Sequence, residues 1–295
     1  MMTIPPVFMD QHPQVQAFFD PQSNTISYLV RDPGSRACAV IDAVMQFDYA
    51  SGRLSYDSAD AIIAEIEKQD LDLQWIIETH VHADHLSGAP YIQEKLGGKV
   101  GIGEHIKEVQ DTFGKVFNEG TEFERDGSQF DQLFKDGDTY SVGDLQCFAL
   151  HTPGHTPACM VHVMGDAAFA GDTLFMPDGG SARADFPGGD AGELYDSIQR
   201  VLSLPDEMRL FICHDYGPNG RAIAWETTVA EQKLQNIHVG QGTSREAFIK
   251  MRTERDAQLK MPGLIIPSLQ VNIRGGEVPR DKDGNMTLKI PVNKL

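Results

Sequence analysis

The chain has 295 residues and carries 43 acidic against 25 basic side chains, a net charge of -18 at pH 7. That length can bury a substantial core in one large domain, with or without an appendage. Nucleic acids are bound by lysines and arginines that neutralise phosphates. Because this chain is acidic, we expect no nucleic-acid partner. No apolar run approaches the roughly 20 residues that cross a bilayer, so we expect no membrane partner.

The N-terminal part of the chain predicts strands followed by an amphipathic helix. Residues 1–20 lack a positively charged segment with an apolar core and lack transit-peptide character, so we expect a cytoplasmic, bacterial protein. Thr25–Arg31 and Ala37–Ile41 are apolar runs that predict paired strands across a Pro-Gly turn. Residues 57–69 have the apolar spacing of a helix, and residues 73–78 predict a buried strand.

Directly after that strand, four residues that can bind a metal lie within six positions. They are His80, His82, Asp84 and His85. Loops at strand ends are usual places for functional groups held by a rigid scaffold. Neutral imidazole together with carboxylate suits a divalent ion such as zinc, iron or manganese. The sequence therefore predicts a metal site at this edge of a sheet.

The middle of the chain predicts two helices, a strand and a long loop before the next apolar runs. Residues 88–96 and 104–117 are expected to be helical, Lys99–Gly103 to be a strand and residues 119–136 to be a loop.

Three later apolar runs end in further ligand-type residues. Residues 145–150 precede His155, residues 167–170 precede Asp172, and residues 209–213 precede His214. Glycine and proline beside these ligands suit tight, fixed turns. Because the loops at one face of a sheet can converge, we expect these residues to join the first cluster.

The C-terminal part predicts helices at residues 190–204 and 225–236, and a third from a Thr243/Glu246 capping box to about residue 260. Four cysteines without paired spacing lie in or beside apolar runs, so we expect buried free thiols; they are Cys38, Cys147, Cys159 and Cys213. We expect a homodimer, with residues 264–266 covering either the chain's own core or a second subunit.

The order His-x-His-x-Asp-His, Pro-Gly-His-Thr, Gly-Asp-Thr and His resembles the metallo-β-lactamase superfamily over about residues 26–216. The resemblance implies an α+β fold, an αββα sandwich of two packed mixed β-sheets with helices on the outer faces. We expect one domain over residues 1–295, with a core at about 22–236 and a C-terminal extension at about 237–295.

All seven ligand positions of the superfamily are filled: His80, His82, Asp84, His85, His155, Asp172 and His214. In glyoxalase II-like hydrolases such residues hold two metals, and the position of Asp172 bridges them. In persulfide dioxygenases three positions, which match His80, His155 and Asp172, hold one Fe(II) as a 2-His-1-carboxylate triad. The ligand-type residues alone leave both readings open.

Flanking residues favour the dioxygenases. The segment Ser181-Ala182-Arg183-Ala184-Asp185-Phe186 resembles their Gly-Arg-x-Asp-Phe signature, with alanine in place of the glycine. His214-Asp215-Tyr216 and residues 266–274 also resemble this family. The resemblance implies oxidation of glutathione persulfide by O2 and water to sulfite and glutathione, with one Fe(II) per chain. A two-metal thioesterase acting on S-acylglutathione and a non-catalytic sulfur or metal sensor remain alternatives.

The remaining site residues receive roles from the one-metal interpretation. His82, Asp84 and His85 are expected to orient ligands or bound water, or with His214 to hold a second metal. The carboxylates of glutathione need fork-like donors. The candidates for substrate binding are Arg183, Arg221, Arg274 and, as a hydroxyl donor, Tyr216.

Overall fold

The computed structural model describes residues 4–294, which form fifteen strands and seven helices, numbered in chain order. The first large sheet has the order β1-β2-β3-β6-β8-β9. Its strands are β1 (Gln14–Asp20), β2 (Thr25–Arg31), β3 (Ala37–Ile41), β6 (Asp72–Ile77), β8 (Lys99–Gly103) and β9 (Gln132–Phe134). A small sheet of order β5-β4-β7 flanks it and contains β4 (Val44–Asp48), β5 (Arg53–Ser55) and β7 (Leu86–Ser87).

The second large sheet runs in sequence order from β10 to β15. Its strands are β10 (Thr139–Val142), β11 (Leu145–His151), β12 (Met160–Met164), β13 (Ala167–Phe169), β14 (Arg209–Phe211) and β15 (Glu226–Thr228). Both large sheets are mixed, since β3, β6, β8 and β9 pair in parallel, as do β13 and β14, while the other neighbours are antiparallel.

The two sheets pack face to face, and helices cover their outer faces. Ile26 and Val30 of β2 share an apolar cluster with Cys147 of β11 and Phe169 of β13. The helices are α1 (Asp57–Lys68), α2 (Ala89–Leu96), α3 (Ile106–Val116), α4 (Ala191–Leu202), α5 (Val229–Gln235), α6 (Arg245–Asp256) and α7 (Ile265–Asn272). Strands buried on both faces are near-continuously apolar, as expected when each sheet face is covered. The architecture is the αββα sandwich that the sequence predicted.

Several local predictions need correction. The predicted loop at 119–136 contains β9, whose three residues give no readable alternation. The predicted helix at 225–236 begins with β15, and α5 starts only after Thr228, which forms a reciprocal capping box with Glu231. The predicted Thr243 cap is also wrong, because the Ser244 hydroxyl accepts the backbone N–H of Ala247 instead.

The C-terminal helices belong to the packing of this chain. Phe248 of α6 is fully buried in the cluster outside the second sheet. Ile265 and Leu269 of α7 join the cluster outside the first sheet, so the apolar segment at 264–266 covers the chain's own core. This segment therefore gives no support for the expected homodimer, which stays a prediction. Within the described residues, no helix is both long and apolar enough to cross a membrane.

Candidate metal centre

Four loops bring the predicted ligands to one edge of the sandwich. His155 Nε2 lies 3.5 Å and His80 Nε2 lies 3.9 Å from Asp172 Oδ2. Potential ligand atoms of these three buried residues all lie within 4.8 Å of one another. This separation is small enough for one ion to contact all three side chains.

Glycine is needed where two of these loops pass close to other parts of the chain. Gly154, before His155, has φ +128°, and a Cβ there would lie 2.2 Å from the backbone nitrogen of Leu194 in α4. Gly171, before Asp172, has φ +49°, and a Cβ would lie 2.6 Å from Thr79 Oγ1. Both positions are strained for any other residue, so the two glycines fix the approach of the ligand loops.

A second group of ligand-type atoms adjoins the first. His214 Nε2 lies 3.4 Å from Asp172 Oδ1 and 3.5 Å from Asp84 Oδ2. His82, Asp84 and His85 also offer atoms within 4.8 Å of one another. Asp172 thus faces both groups, one through each carboxylate oxygen.

Unpaired buried atoms indicate that these residues fit a metal. His80 Nε2, His85 Nε2 and Asp172 Oδ1 are buried and have no hydrogen-bond partner within the described chain. The opposite ring nitrogens are engaged, since His80 Nδ1 contacts Thr79 Oγ1 at 3.0 Å and His155 Nδ1 donates to the Arg183 carbonyl at 2.7 Å. Buried polar atoms are costly when unpaired, and a cation satisfies nitrogen lone pairs and carboxylate oxygens together.

His82 has different surroundings from the other histidines. Its Nε2 lies 3.0 Å from Asp42 Oδ1 and 3.3 Å from Glu78 Oε2, and all three side chains are buried. Burial lowers the pKa of His82, but the charge and hydrogen bond of Asp42 outweigh it and hold this pKa well above its usual value. Asp42 also accepts from the backbone N–H and the hydroxyl of Thr79, the neighbour of His80. His82 is therefore anchored through Nε2, while its Nδ1 is buried without a hydrogen-bond partner in the described part of the chain, as are His80 Nε2 and His85 Nε2.

The pKa shifts of His80 and His214 differ in direction between the two groups of ligand-type residues. Burial and the neighbouring histidines lower the pKa of His80 well below its usual value, which keeps its imidazole neutral. Burial lowers the pKa of His214 too, but Cys213, Asp84 and Asp172 raise it well above the usual value. Burial raises the pKa of Asp84, yet His214 and His85 lower it below its ordinary range. A neutral imidazole is the form that ligates metals.

The four cysteines are buried and free, as predicted. Cys213 nonetheless lies close to the centre, with its Sγ 3.6 Å from Asp42 Oδ2. Burial raises the pKa of its thiol above the usual value. A protonated, buried thiol is a packing group and not a nucleophile.

The centre opens into a cavity of about 630 Å³. One wall carries Asp84, His155, Asp172 and His214. The opposite wall comes from α6 and the chain after it. Its residues include Arg252, Arg255, Leu259, Lys260 and Leu264. Phe175, Phe186 and Tyr216 complete the lining with aromatic rings.

The structure separates the four predicted substrate-binding residues. Arg183 and Tyr216 line the cavity, although the Arg183 guanidinium is held by Asp185 at 2.5 and 2.7 Å and by the Lys260 carbonyl at 2.8 Å. Arg221 pairs with Asp178 and Asp215, outside the cavity lining. Arg274 pairs with Glu119 at 2.9 Å, over the ring of Phe123, and also lies outside it. Ion pairs satisfy both outer arginines, so neither is available to substrate.

Three cavity cations were missed from the sequence. Arg252 is fully buried, donates to Asp256 at 2.6 and 2.9 Å, and donates to the Ser181 carbonyl at 3.1 Å. Arg255 and Lys260 are exposed, and neither forms an ion pair within residues 4–294. The only sequence signal was the three-residue spacing of Arg252 and Arg255, which places them on one side of a helix.

The chain belongs to the metallo-β-lactamase superfamily, because a sequence model of that superfamily matches residues 21–214. A protein described as a probable metallo-hydrolase from Burkholderia pseudomallei is 52% identical, over 95% of this chain and 99% of that protein. Glyoxylase B2 from Dictyostelium discoideum is 45% identical, over 97% and 99%. The chain spans 66% of the length of a beta-lactamase hydrolase-like protein from Xylella fastidiosa.

More distant matches confirm the resemblance to the persulfide dioxygenases. Human persulfide dioxygenase ETHE1 is 28% identical over 89% of this chain and 88% of its own length. The crystal structure of ETHE1 from Myxococcus xanthus is 30% identical, covers 90% of this chain and all of that one, and has a TM-score of 0.71. The chain is thus similar both to a protein described as a metallo-hydrolase and to persulfide dioxygenases, and it shares its fold with the ETHE1 structure.

Proposed function

We propose that this protein is an iron-dependent persulfide dioxygenase that oxidises glutathione persulfide with O2 and water to sulfite and glutathione. One observation carries the proposal. His80, His155 and Asp172 form a compact group, while His82 is tied through Nε2 to Asp42 and Glu78 and lies outside that group. Two histidines and one carboxylate leave coordination positions free for a substrate and O2. The similarity to the ETHE1 proteins supports this interpretation.

Fe(II) held by His80, His155 and Asp172 would supply the redox chemistry for the reaction R–S–SH + O2 + H2O → R–SH + sulfite + 2 H⁺. The terminal sulfur is oxidised by four electrons, and O2 is reduced by the same four. The S–S bond breaks, and the thiol leaves with a proton.

The chain's own residues orient the ligands and exclude water. The Arg183 carbonyl fixes the ring of His155, and Thr79 fixes the ring of His80. Phe175 and Phe186 place apolar rings along the lining, which disfavours water there. Such preorganised surroundings let two bound reactants meet as in an intramolecular reaction.

The opposite wall supports an anionic substrate. Glutathione persulfide carries two carboxylates besides its sulfur chain. Arg255 and Lys260 face the cavity without ion-pair partners in the described chain, although acidic residues outnumber basic ones overall. Unpaired cations at a cavity mouth raise the local concentration of anions. These two residues replace Arg221 and Arg274 as the proposed carboxylate donors.

The deciding experiment measures oxygen consumption by anaerobically Fe(II)-loaded protein after addition of glutathione persulfide. The proposal predicts O2 uptake with sulfite formed in equal amount. The variant His155→Ala should lose both iron and uptake. No uptake by protein shown to contain iron would contradict the proposal.

A glyoxalase II-like thioesterase is the second candidate, and a specific observation favours it. His214 Nε2 lies between Asp84 and Asp172, and His85 Nε2 has no partner, so the residues of a second metal position are in place. The 45% identity to Glyoxylase B2 agrees with it. This candidate predicts hydrolysis of S-lactoylglutathione by zinc-loaded protein, with two metals per chain and no need for O2.

A further inference from the structure

A second, small cavity lies beside the metal centre, between α3 and α7. Its volume of about 10 Å³ admits one molecule of the size of water. Val109 and Phe113 of α3 and Ile265 and Leu269 of α7 form part of its wall, and Val81 of the ligand loop also lines it. We call this cavity the apolar void.

The apolar void and the substrate cavity share two lining residues. Ala83 and Phe186 line both spaces. Ala83 lies between His82 and Asp84 in the sequence, and the ring of Phe186 meets the ring of His155 edge to face, with 5.3 Å between centroids. The void therefore lies next to residues that adjoin the proposed iron ligands, and neither Arg255 nor Lys260 lines it.

The lining of the void does not suit water. Its side chains are apolar except that of Thr156, whose hydroxyl already lies 3.0 Å from Cys159 Sγ. A buried water needs two to four polar partners, and apolar cavities that lack such partners stay dry. The fitting occupant is a small, uncharged, apolar molecule.

We propose that the apolar void is a docking site for molecular oxygen on its way to the metal centre. The inference rests on the proposed function, which requires O2 beside a charged thiol substrate. The charged substrate enters the larger cavity along Arg255 and Lys260. O2 is uncharged and apolar, so it is accommodated more favourably in the apolar void. Separate entry lets O2 arrive after the substrate has filled the larger cavity.

The test combines xenon binding with a variant that fills the void. Crystals of the wild-type chain under xenon pressure should show xenon between Val109 and Leu269. The variant Val109→Met should exclude xenon and raise the KM for O2 severalfold, with a smaller change in the KM for glutathione persulfide. Val109→Leu is the milder replacement if methionine prevents folding. Val201→Met, at a buried valine of α4 outside the void, is the matched control and should keep the wild-type KM for O2.

The outcomes separate this inference from the function on which it rests. O2 uptake by wild-type protein with an unchanged KM for O2 in the filled variant would overturn the docking site, as would a void that takes no xenon. Absence of O2 uptake by iron-loaded wild-type protein would overturn the proposed function, and the oxygen role of the void with it.

Discussion

The two walls of the main cavity differ in how they are held and in what they offer. The ligand wall comes from loops within residues 21–214, which match the superfamily; its histidines are buried, and the ring of His155 is held by the Arg183 carbonyl. The opposite wall comes from α6 and the chain after it, outside the matched region, and ends in the exposed cations Arg255 and Lys260. Under the proposed function, the ligand wall would set the chemistry and the C-terminal wall would bind the substrate.

The largest expected effect comes from the ligand wall. Asp172→Asn removes the carboxylate that faces His80 and His155, so iron content and O2 uptake should fall by more than the roughly 10- to 100-fold cost of losing an outer-shell partner. Metal analysis and oxygen-electrode rates measure both. Asp84→Asn is the matched control and should keep its iron. An equal loss of iron in both variants would show that the two ligand groups act as one.

On the C-terminal wall, Arg252→Met should destabilise the fold. It leaves Asp256 buried without its cation, which costs about 3–5 kcal/mol. Urea unfolding of the metal-free protein measures the change. Arg245→Met in the same helix breaks only an exposed pair with Asp196 and should leave the free energy of unfolding nearly unchanged. An equal fall in the free energy of unfolding in both variants would contradict the assignment of Arg252 as a structural cation and Arg245 as a surface cation.

The cations at the cavity mouth should affect substrate binding alone. The double variant Arg255→Gln/Lys260→Gln should raise the KM for glutathione persulfide about fivefold, the equivalent of ~1 kcal/mol for exposed charges. The effect should shrink at high salt because screening weakens exposed charges. Lys250→Gln, in α6 beside Glu254, is the control and should leave KM unchanged. A fall in kcat with KM unchanged would place the two cations outside substrate binding.

The smallest expected effect concerns pH. Burial, with Arg252 and Arg255 nearby, lowers the pKa of His238 to about 4, whereas the unfolded imidazole titrates near 6.5. Between these values the unfolded state binds the additional proton, so the free energy of unfolding falls as pH drops from 6.5 towards 4. His238→Asn keeps an acceptor for the Ser181 N–H and should make the fall between pH 7 and 5 shallower.

Urea midpoints of wild type and variant at the two pH values provide the comparison. His162, whose pKa burial also lowers to about 4, should retain part of the fall in the variant. A fall as steep as that of the wild type would mean that His238 does not contribute.

The ligand wall was predictable because each ligand directly follows an apolar strand, and strand order brings such ends together. The convergence of His80, His155 and Asp172 followed from that pattern, and their iron remains a prediction. The C-terminal wall lacked such a signal. Arg274 was a plausible substrate donor by sequence. In the structure its guanidinium forms an ion pair with Glu119, which is distant in the sequence. Which cations stay free depends on tertiary ion pairs that no local pattern encodes.

The boundaries of short elements show the same limit. Thr228 and Glu231 carried a readable capping box, yet the start of α5 was placed four residues too early because β15 is too short to show a period.

The most direct test of the account is anomalous diffraction at the iron edge from crystals of anaerobically Fe(II)-loaded protein. The account predicts one iron per chain, contacted by His80, His155 and Asp172, with His82 still bonded to Asp42. Two metal peaks per chain, the second among Asp84, His85 and His214, would contradict the one-iron dioxygenase and favour the two-metal thioesterase.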